Sequence, residues 1–302
     1  MVMTVDSLLV LRERFPMRRI LGTLIACLMA TVAVADERPH VVLVAGDHEY
    51  RSEITLPLLA EILEEHHGFR TSLVMPVDEQ GQVAPKADRN LRGLEALAEA
   101  DVAIFYLRWR TLPDDQMQQI VDYVNSGRPM IGLRTTTHAF RNQTGEYARW
   151  NDGFGRDIFG QRWITHHGGR SSTHVFAAIT PHPILRGVSA FTGRSWLYHV
   201  TPVHGEDVQT LLLGRAIDSA RPVDGDHSHI QPVAWTKTYT GDTGQTARVF
   251  FTTLGHPHEF ADENMRRLMI NSIYWSLGRE DEIPEQGAAA DLVSEYDAPD
   301  VH

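Results

Sequence analysis

The first part of the chain shows two patterns of apolar and polar positions, one typical of strands and one typical of helices. Four short runs are predicted to be strands: 40–45, 101–107 and 129–133 are mostly apolar, as buried strands are, and 69–75 mixes apolar with polar residues. The stretches between these runs carry apolar residues at helical spacing, most clearly between Pro113 and Gly127. Strands that alternate with helices predict βαβ units and a parallel sheet.

The remaining helices and strands follow from the same patterns. We expect helices at about 52–65, 91–98 and 262–277, and a further strand at 248–254. Between these parts, residues 140–245 are rich in Gly, His, Arg and Trp, with strand-like pieces near 173–179, 195–200, 208–214 and 232–240. We interpret this middle region as insertions and loops that decorate one end of the sheet. Residues 280–302 are predicted to be an acidic, partly ordered tail.

The N-terminal pattern is that of an export signal. Met17-Arg18-Arg19 precedes an apolar run that ends in Ala33-Val34-Ala35, which predicts a signal peptide over 17–35 with cleavage after Ala35. Residues 1–16 carry charges that do not fit a signal, so translation is expected to begin at Met17. Two alternatives stay open: a lipid anchor at Cys27, and an uncleaved anchor. The mature protein is predicted to be periplasmic or secreted, with no membrane contact after cleavage.

Composition narrows the kinds of partner and chemistry. The 302 residues carry a net charge of −11, which argues against a nucleic-acid partner. The single cysteine, Cys27, lies in the predicted signal, so the mature chain lacks a thiol nucleophile, a disulfide and a cysteine-ligated metal. A small-molecule partner is the remaining expectation.

Candidate chemistry lies where the predicted strands end, because ligands of open parallel sheets bind beyond the carboxyl ends of the strands. Three predicted strand ends carry histidines. As substrate-binding residues we predict Asp47, His48, Arg51, Arg134 and Thr135. As catalytic residues we predict His256 and Glu259 for proton transfer, together with His138.

Two other mechanisms are compatible with the same residues. His48, His138 and His256 are candidate ligands of a divalent metal such as zinc, although no HExxH motif fixes their spacing. Alternatively, Thr135 or Thr136 could act as a nucleophile activated by His256.

The middle region offers two more candidates. In His166-His167-Gly168-Gly169, adjacent strand residues would point to opposite faces, so at most one histidine would serve a site, and we name His167. Asp152 follows Trp150 and Asn151, and such a group could stack on and hydrogen-bond a sugar or simply form a turn. His227 and His229 are expected at the surface.

Three segments resemble the ThuA-like, trehalose-utilisation family, most closely its exported members. They are 40–51, 130–140 and above all 248–278 (RVFFTTLGHPHEFADENMRRLMINSIYWSLG). The resemblance covers most of residues 38–280 and implies one domain over 36–279. It also implies a flavodoxin-like fold shared with class I glutamine amidotransferases: an α/β three-layer sandwich with a mostly parallel sheet and a decorated middle region.

The chain departs from the catalytic superfamily in one decisive respect. Where amidotransferases place a cysteine after a central strand, this chain reads Arg134-Thr135-Thr136-Thr137, so glutamine hydrolysis through a thioester is chemically impossible. The resemblance implies an exported enzyme that acts on a small carbohydrate or keto-sugar, by His/Glu acid–base or metal-assisted chemistry. The alternative is a non-catalytic periplasmic ligand-binding module on the same scaffold.

Overall fold

The computed structural model describes residues 38–168, 171–221 and 227–301. Predictions about residues 1–16, the signal peptide over 17–35 and the anchor at Cys27 lie outside these residues. Within the described ranges, no helix combines the length and apolar character needed to cross a bilayer.

A ten-stranded sheet runs through the molecule. In spatial order its strands are β3 (Leu91–Arg92), β2 (Arg70–Pro76), β1 (His40–Gly46), β4 (Val102–Leu107), β5 (Met130–Leu133), β12 (Thr246–Thr252), β11 (Ile230–Thr240), β10 (Gln209–Ile217), β7 (Ser172–Ala177) and β8 (Phe191–Gly193). The five strands from β2 to β12 are parallel, and the strands on either side are antiparallel. A separate pair joins β6 (Thr165–His166) to β9 (Tyr198–His199).

Helices cover both faces of the parallel strands. They are α1 (Ser52–His67), α2 (Asp114–Val124), α3 (Trp150–Gly153), α4 (Pro257–Phe260) and α5 (Glu263–Ser276). Side chains of α1 and α5 share one apolar cluster, and those of α2 share a second cluster with the aromatic residues that follow α3. Every residue of β1 and β4 is buried, as expected for parallel strands enclosed on both faces. The predicted three-layer α/β sandwich is therefore confirmed.

The middle region does more than decorate one end of the sheet. Its strands β7, β8, β10 and β11 continue the main sheet beyond β12 in antiparallel order. The sequence signal for these strands is weaker than that for the central parallel strands, because buried and less buried positions alternate over part of their length. Antiparallel strands can expose one face in this way.

Two smaller elements differ from the expectation. The stretch predicted as a helix at 91–98 forms the two-residue strand β3 and a 3₁₀ turn over Leu94–Glu99, since Gly93 interrupts it with a φ of 98°. The acidic C-terminal tail packs Ile283, Ala288 and Ala290 into the interior. These apolar side chains tie the tail to the domain.

Candidate active site

Three adjacent parallel strands end in strained turns at one edge of the sheet. Residues after β1, β4 and β5 include Arg51, Trp109 and Arg134, whose φ angles are 56°, 47° and 39°. Left-handed backbone is unfavourable for side chains of this size and persists where the surrounding structure holds it, often at functional sites. Because ligands of parallel sheets bind at this edge, strain and topology indicate the same place.

An open cleft of about 460 Å³ lies at this edge. Its walls include Trp109, His138, Arg141, Asp152, Arg162 and Trp163. We call this space the aromatic cleft because two tryptophans line it. Indole faces bind apolar sugar faces or other flat groups, and the arginine and aspartate side chains supply hydrogen bonds around them.

A smaller pocket of about 50 Å³ shares three of these residues, Trp109, His138 and Trp163. The residues that it adds are Glu49, Tyr50, Arg108, His166 and Tyr198. We call this space the inner pocket. Its volume suits one or two small polar groups, so it would take a single hydroxyl or carbonyl of a ligand bound in the cleft.

Backbone hydrogen bonds fix the two tryptophan walls against the turn after β5. The Trp109 amide donates to the His138 carbonyl at 2.9 Å, and the Trp163 amide donates to the Thr137 carbonyl at 3.3 Å. Gly155 packs against the same Thr137 carbonyl, where a Cβ would collide with the oxygen. The Arg108 guanidinium lies 3.8 Å from the centre of the Trp109 ring and forms an ion pair with Glu49.

His138 lies between the two indoles. Its ring centre is 5.2 Å from that of Trp109 and 5.8 Å from that of Trp163. The Thr137 hydroxyl lies 3.0 Å from Nδ1 of His138 and 3.2 Å from the Arg134 carbonyl. A neutral imidazole has one donor and one acceptor nitrogen, so His138 can form one hydrogen bond with this hydroxyl and a second one through Nε2.

The surroundings also keep His138 neutral. Burial, with a further contribution from the positive charges of Arg108 and Arg134, lowers the pKa of His138 to about 3. A neutral imidazole of this kind accepts a hydrogen bond from a ligand hydroxyl throughout the physiological pH range. It is a weak base while the cleft is empty.

The loop after β1 is tied to the turn after β5 by a buried carboxylate. Asp47 accepts from the Thr135 hydroxyl at 2.6 Å and from the Glu49 amide at 2.7 Å. Burial raises the pKa of Asp47 to about 6 even though these hydrogen bonds act in the opposite direction. Asp47 and Thr135 therefore hold the backbone of Glu49 and Tyr50 from the protein interior. They do not line either cavity.

The predicted proton-transfer pair, His256 and Glu259, has a structural role in this arrangement. Both side chains are 2% exposed. The Glu259 carboxylate accepts from the amides of Ser195, Gly255 and His256 and from the Ser195 hydroxyl, at 2.6 to 3.0 Å. Nδ1 of His256 accepts from the His258 amide at 3.2 Å, which completes a capping box at the start of α4. Neither residue lines the cleft or the inner pocket.

The threonines considered as nucleophiles are also held in the interior. The Thr135 hydroxyl donates to Asp47, and the Thr136 hydroxyl donates to the Phe105 carbonyl at 2.8 Å. Arg134, predicted to bind substrate, is fully buried beneath the inner pocket and does not line it. Its backbone occupies the strained position directly after β5, where the amidotransferase comparison would place the nucleophile.

His48 and Arg51 line a different cavity of about 410 Å³, together with Glu53 and Lys86. Arg51 forms an ion pair with Glu53 at 2.5 Å. Burial and the nearby cations Arg108 and Arg110 lower the pKa of His48. The structure therefore separates these two predicted substrate-binding residues from the aromatic cleft.

Of the two adjacent histidines, His166 lines the inner pocket and His167 does not. His167 is fully buried, with Nδ1 3.1 Å from the Ser219 hydroxyl and Nε2 3.2 Å from the Ser228 carbonyl. His166 stacks with Tyr198. Only His166 of this pair lines the inner pocket, whereas tertiary hydrogen-bond partners hold His167, the residue named from the sequence, in the interior.

Asp152 is exposed on the wall of the aromatic cleft, 3.5 Å from Arg162, as its predicted substrate-binding role requires. Its neighbour Trp150 is a core residue that packs against Phe154. The Asn151 side chain both accepts from and donates to the backbone of Gln143. Of this triplet, Asp152 has the most exposed polar group, and its carboxylate pairs with Arg162 on the wall of the cleft.

The predicted metal site is not formed. Among residues 38–168, 171–221 and 227–301, no three His, Cys, Asp or Glu side chains are arranged to hold a metal ion. His48 lines one cavity, His138 another, and His256 caps α4.

Several residues of the two cavities were not chosen from the sequence. Trp109 and Arg108 follow β4, so the strand-end argument could have selected them with the histidines. Trp163, His166 and Tyr198 come from the middle region, where His166 ends β6 and Tyr198 begins β9. His166 belongs to the histidine pair noted in the sequence, but no local pattern marks Trp163 or Tyr198, because it is the pairing of β6 with β9 that brings Tyr198 beside His166.

The fold is that of a flavodoxin-like α/β protein, with a cleft at the carboxyl edge of its parallel strands. The family model for ThuA, trehalose utilisation, matches residues 41–276. The chain therefore belongs to the ThuA family.

Solved structures agree with this assignment at the level of the fold. A ThuA-like protein from Bacteroides uniformis ATCC 8492 is 15% identical with a TM-score of 0.55, covering 80% of this chain and 92% of its own. Another, from Parabacteroides merdae ATCC 43184, is 13% identical with a TM-score of 0.53, covering 84% and 96%. No functionally curated protein matches the chain.

Proposed function

We propose that this ThuA-family protein is an enzyme that binds a small carbohydrate or keto-sugar in the aromatic cleft. The observation that carries the proposal is the inner pocket itself, which places a neutral histidine between two indoles at the base of the cleft. Trp109 and Trp163 would stack on the sugar ring, and Asp152 and Arg162 would hydrogen-bond its rim hydroxyls. One hydroxyl or carbonyl group would enter the inner pocket.

Proton transfer in this proposal belongs to the inner pocket and not to His256 and Glu259. Nε2 of His138 would accept a hydrogen bond from the reacting hydroxyl. Glu49, a carboxylate held by Arg108, is the second group that could take or return a proton. The buried Tyr50 and Tyr198 would border the reacting atoms.

The experiment is a paired binding and turnover screen. The purified protein is mixed with neutral sugars, sugar acids and keto-sugars; tryptophan fluorescence reports binding and NMR spectroscopy reports products. For any ligand that is turned over, His138→Gln should lower kcat by about 10²- to 10⁴-fold. The exposed His204 supplies the matched control, His204→Gln, which should retain full activity. Turnover that survives His138→Gln unchanged would refute the assignment.

A non-catalytic ligand-binding module is the second candidate, and one observation favours it. The pKa of about 3 leaves His138 a weak base, whereas general bases work best with a pKa near the operating pH. The same screen separates the two candidates. Saturable binding with an unchanged ligand in every NMR spectrum supports the module and contradicts the enzyme.

We also propose export to the periplasm or the medium, supported by the sequence of residues 17–35. N-terminal sequencing of the protein from the producing cell tests this proposal. A mature N-terminus at Asp36 is expected. A chain that starts at Met1 or Met17 would contradict cleavage, and a lipid-modified Cys27 would establish the anchor instead.

A further inference from the structure

Arg134 is a fully buried cation in a strained backbone conformation, directly beneath the inner pocket. Its hydrogen-bond acceptors are all uncharged oxygens. Nη1 donates to the Thr253 carbonyl at 2.8 Å and to the Trp196 carbonyl at 3.3 Å, and Nη2 donates to the Tyr50 hydroxyl at 2.9 Å. Among the described residues, Nε has no hydrogen-bond partner. An apolar side chain would avoid the desolvation of this charge, so stability alone does not account for the arginine.

The guanidinium also lies against two aromatic rings. Its central carbon is 4.2 Å from the centre of the Tyr50 ring and 4.5 Å from that of Tyr198. Both tyrosines line the inner pocket. A cation between two rings is attracted to both faces, so Arg134 holds the two walls in a fixed relation.

The hydrogen bonds of the Arg134 guanidinium join three separate parts of the chain. Trp196 precedes β9, Thr253 follows β12, and Tyr50 belongs to the loop after β1. The five donors of a guanidinium lie in one plane at fixed angles, whereas lysine would offer a single nitrogen. One side chain therefore sets the mutual position of three segments.

We propose that Arg134 is the positioning residue of the inner pocket. It holds Tyr50 and Tyr198 in place and does not contact the ligand. Because Nη2 donates to the Tyr50 oxygen, Arg134 also stabilises the phenolate form of Tyr50 and opposes the effect of burial on the pKa of that phenol. Tyr50 is thereby a stronger hydrogen-bond donor than an equally buried phenol without the cation.

The test follows the tyrosines directly and needs no ligand. The protein is labelled with 3-fluorotyrosine, whose phenol is more acidic than that of tyrosine, and each ¹⁹F signal is titrated by NMR spectroscopy. Tyr50→Phe and Tyr198→Phe assign the two signals. In Arg134→Met, the pKa of Tyr50 should rise by about one unit, and the Tyr198 signal should shift.

Arg266→Met is the matched control. Arg266 is also buried and donates to two carbonyls, those of Ala290 and Phe260, without touching Tyr50 or Tyr198. It should lower stability and leave both signals unchanged. If Arg134→Met does not fold, Arg134→Lys is tested in its place. Because lysine keeps the positive charge, the pKa of Tyr50 should rise less than in Arg134→Met, and the Tyr198 signal should still shift.

A folded Arg134 variant with both tyrosine signals and both pKa values unchanged would overturn the proposal. The inference concerns the site of the proposed function but does not depend on a carbohydrate. If no sugar binds but the Tyr50 and Tyr198 signals shift in the Arg134 variants, Arg134 is a positioning residue and the proposed function fails. If a sugar is turned over but neither signal shifts, the proposed function stands and the role of Arg134 fails.

Discussion

The turn after β5 and the turn after β12 lie side by side at one edge of the sheet, and each carries a histidine. His138 lies between two indoles and lines the aromatic cleft. His256 caps a helix, and its neighbour Glu259 is surrounded by backbone donors. Of these neighbouring positions at one sheet edge, one therefore lines a cleft and the other caps a helix.

The difference between the two turns comes from the hydrogen bonds that each turn must make. After β12 the chain starts the helix α4 at Pro257, and the unpaired amides at its beginning are capped by the His256 and Glu259 side chains. After β5 the chain forms a 3₁₀ turn over Arg134–His138, in which three threonine hydroxyls form hydrogen bonds with buried acceptors. The His138 ring is then left for the cleft.

The largest expected effect tests the structural turn. Glu259→Ala should lower the free energy of unfolding by about 3 kcal/mol or more, because it leaves several buried donors without an acceptor. Urea denaturation followed by circular dichroism measures the change. The exposed Glu263→Ala should change stability by no more than about 0.5 kcal/mol. A stable Glu259→Ala protein that has lost only activity would reverse the comparison and make Glu259 catalytic.

A second effect tests how the turn after β5 is attached to the loop after β1. Burial raises the pKa of Asp47 from 3.8 to about 6, so the folded protein holds a proton that the unfolded chain releases between these values. Stability from this group therefore falls as the pH rises from about 4 to about 6. Asp47→Asn cannot ionise and should lack this fall, which amounts to about 3 kcal/mol for two pKa units.

Urea denaturation at several pH values measures the Asp47 effect as a difference between the two proteins. The exposed Asp115→Asn is the control and should keep the pH dependence of the native protein. Parallel curves for Asp47→Asn and the native protein would show that Asp47 has an ordinary pKa.

The smallest effect sharpens the cleft side of the comparison. Once a ligand is known from the screen, Trp163→Ala should weaken its binding by about 0.5–1.5 kcal/mol through the loss of stacking, up to about tenfold in Kd. Trp150→Phe alters a buried tryptophan outside both cavities and should leave Kd unchanged if the protein folds. Equal affinity for the native protein and Trp163→Ala would remove this wall from the binding site.

The fold was predictable because the central parallel strands β1, β4 and β5 are buried on both faces and appear as continuous apolar runs. Topology alone determines at which edge of the sheet a ligand site is expected. The direction of each side chain was not predictable, because tertiary hydrogen bonds turn Glu259 and His167 inward. Trp163 left no local signal, since only the chain path through the middle region brings it to the cleft.

The sheet order also determines when the site can be completed as the chain is made. β5 is paired on one side with β4 and on the other with β12, and the whole middle region lies between β5 and β12 in the chain. One edge of β5 therefore stays open until residues 246–252 have been synthesised. Arg134, made early, acquires its Thr253 acceptor only then. The hydrogen bonds that support the inner pocket are thus complete only after all of its lining residues, between Glu49 and Tyr198, have been synthesised.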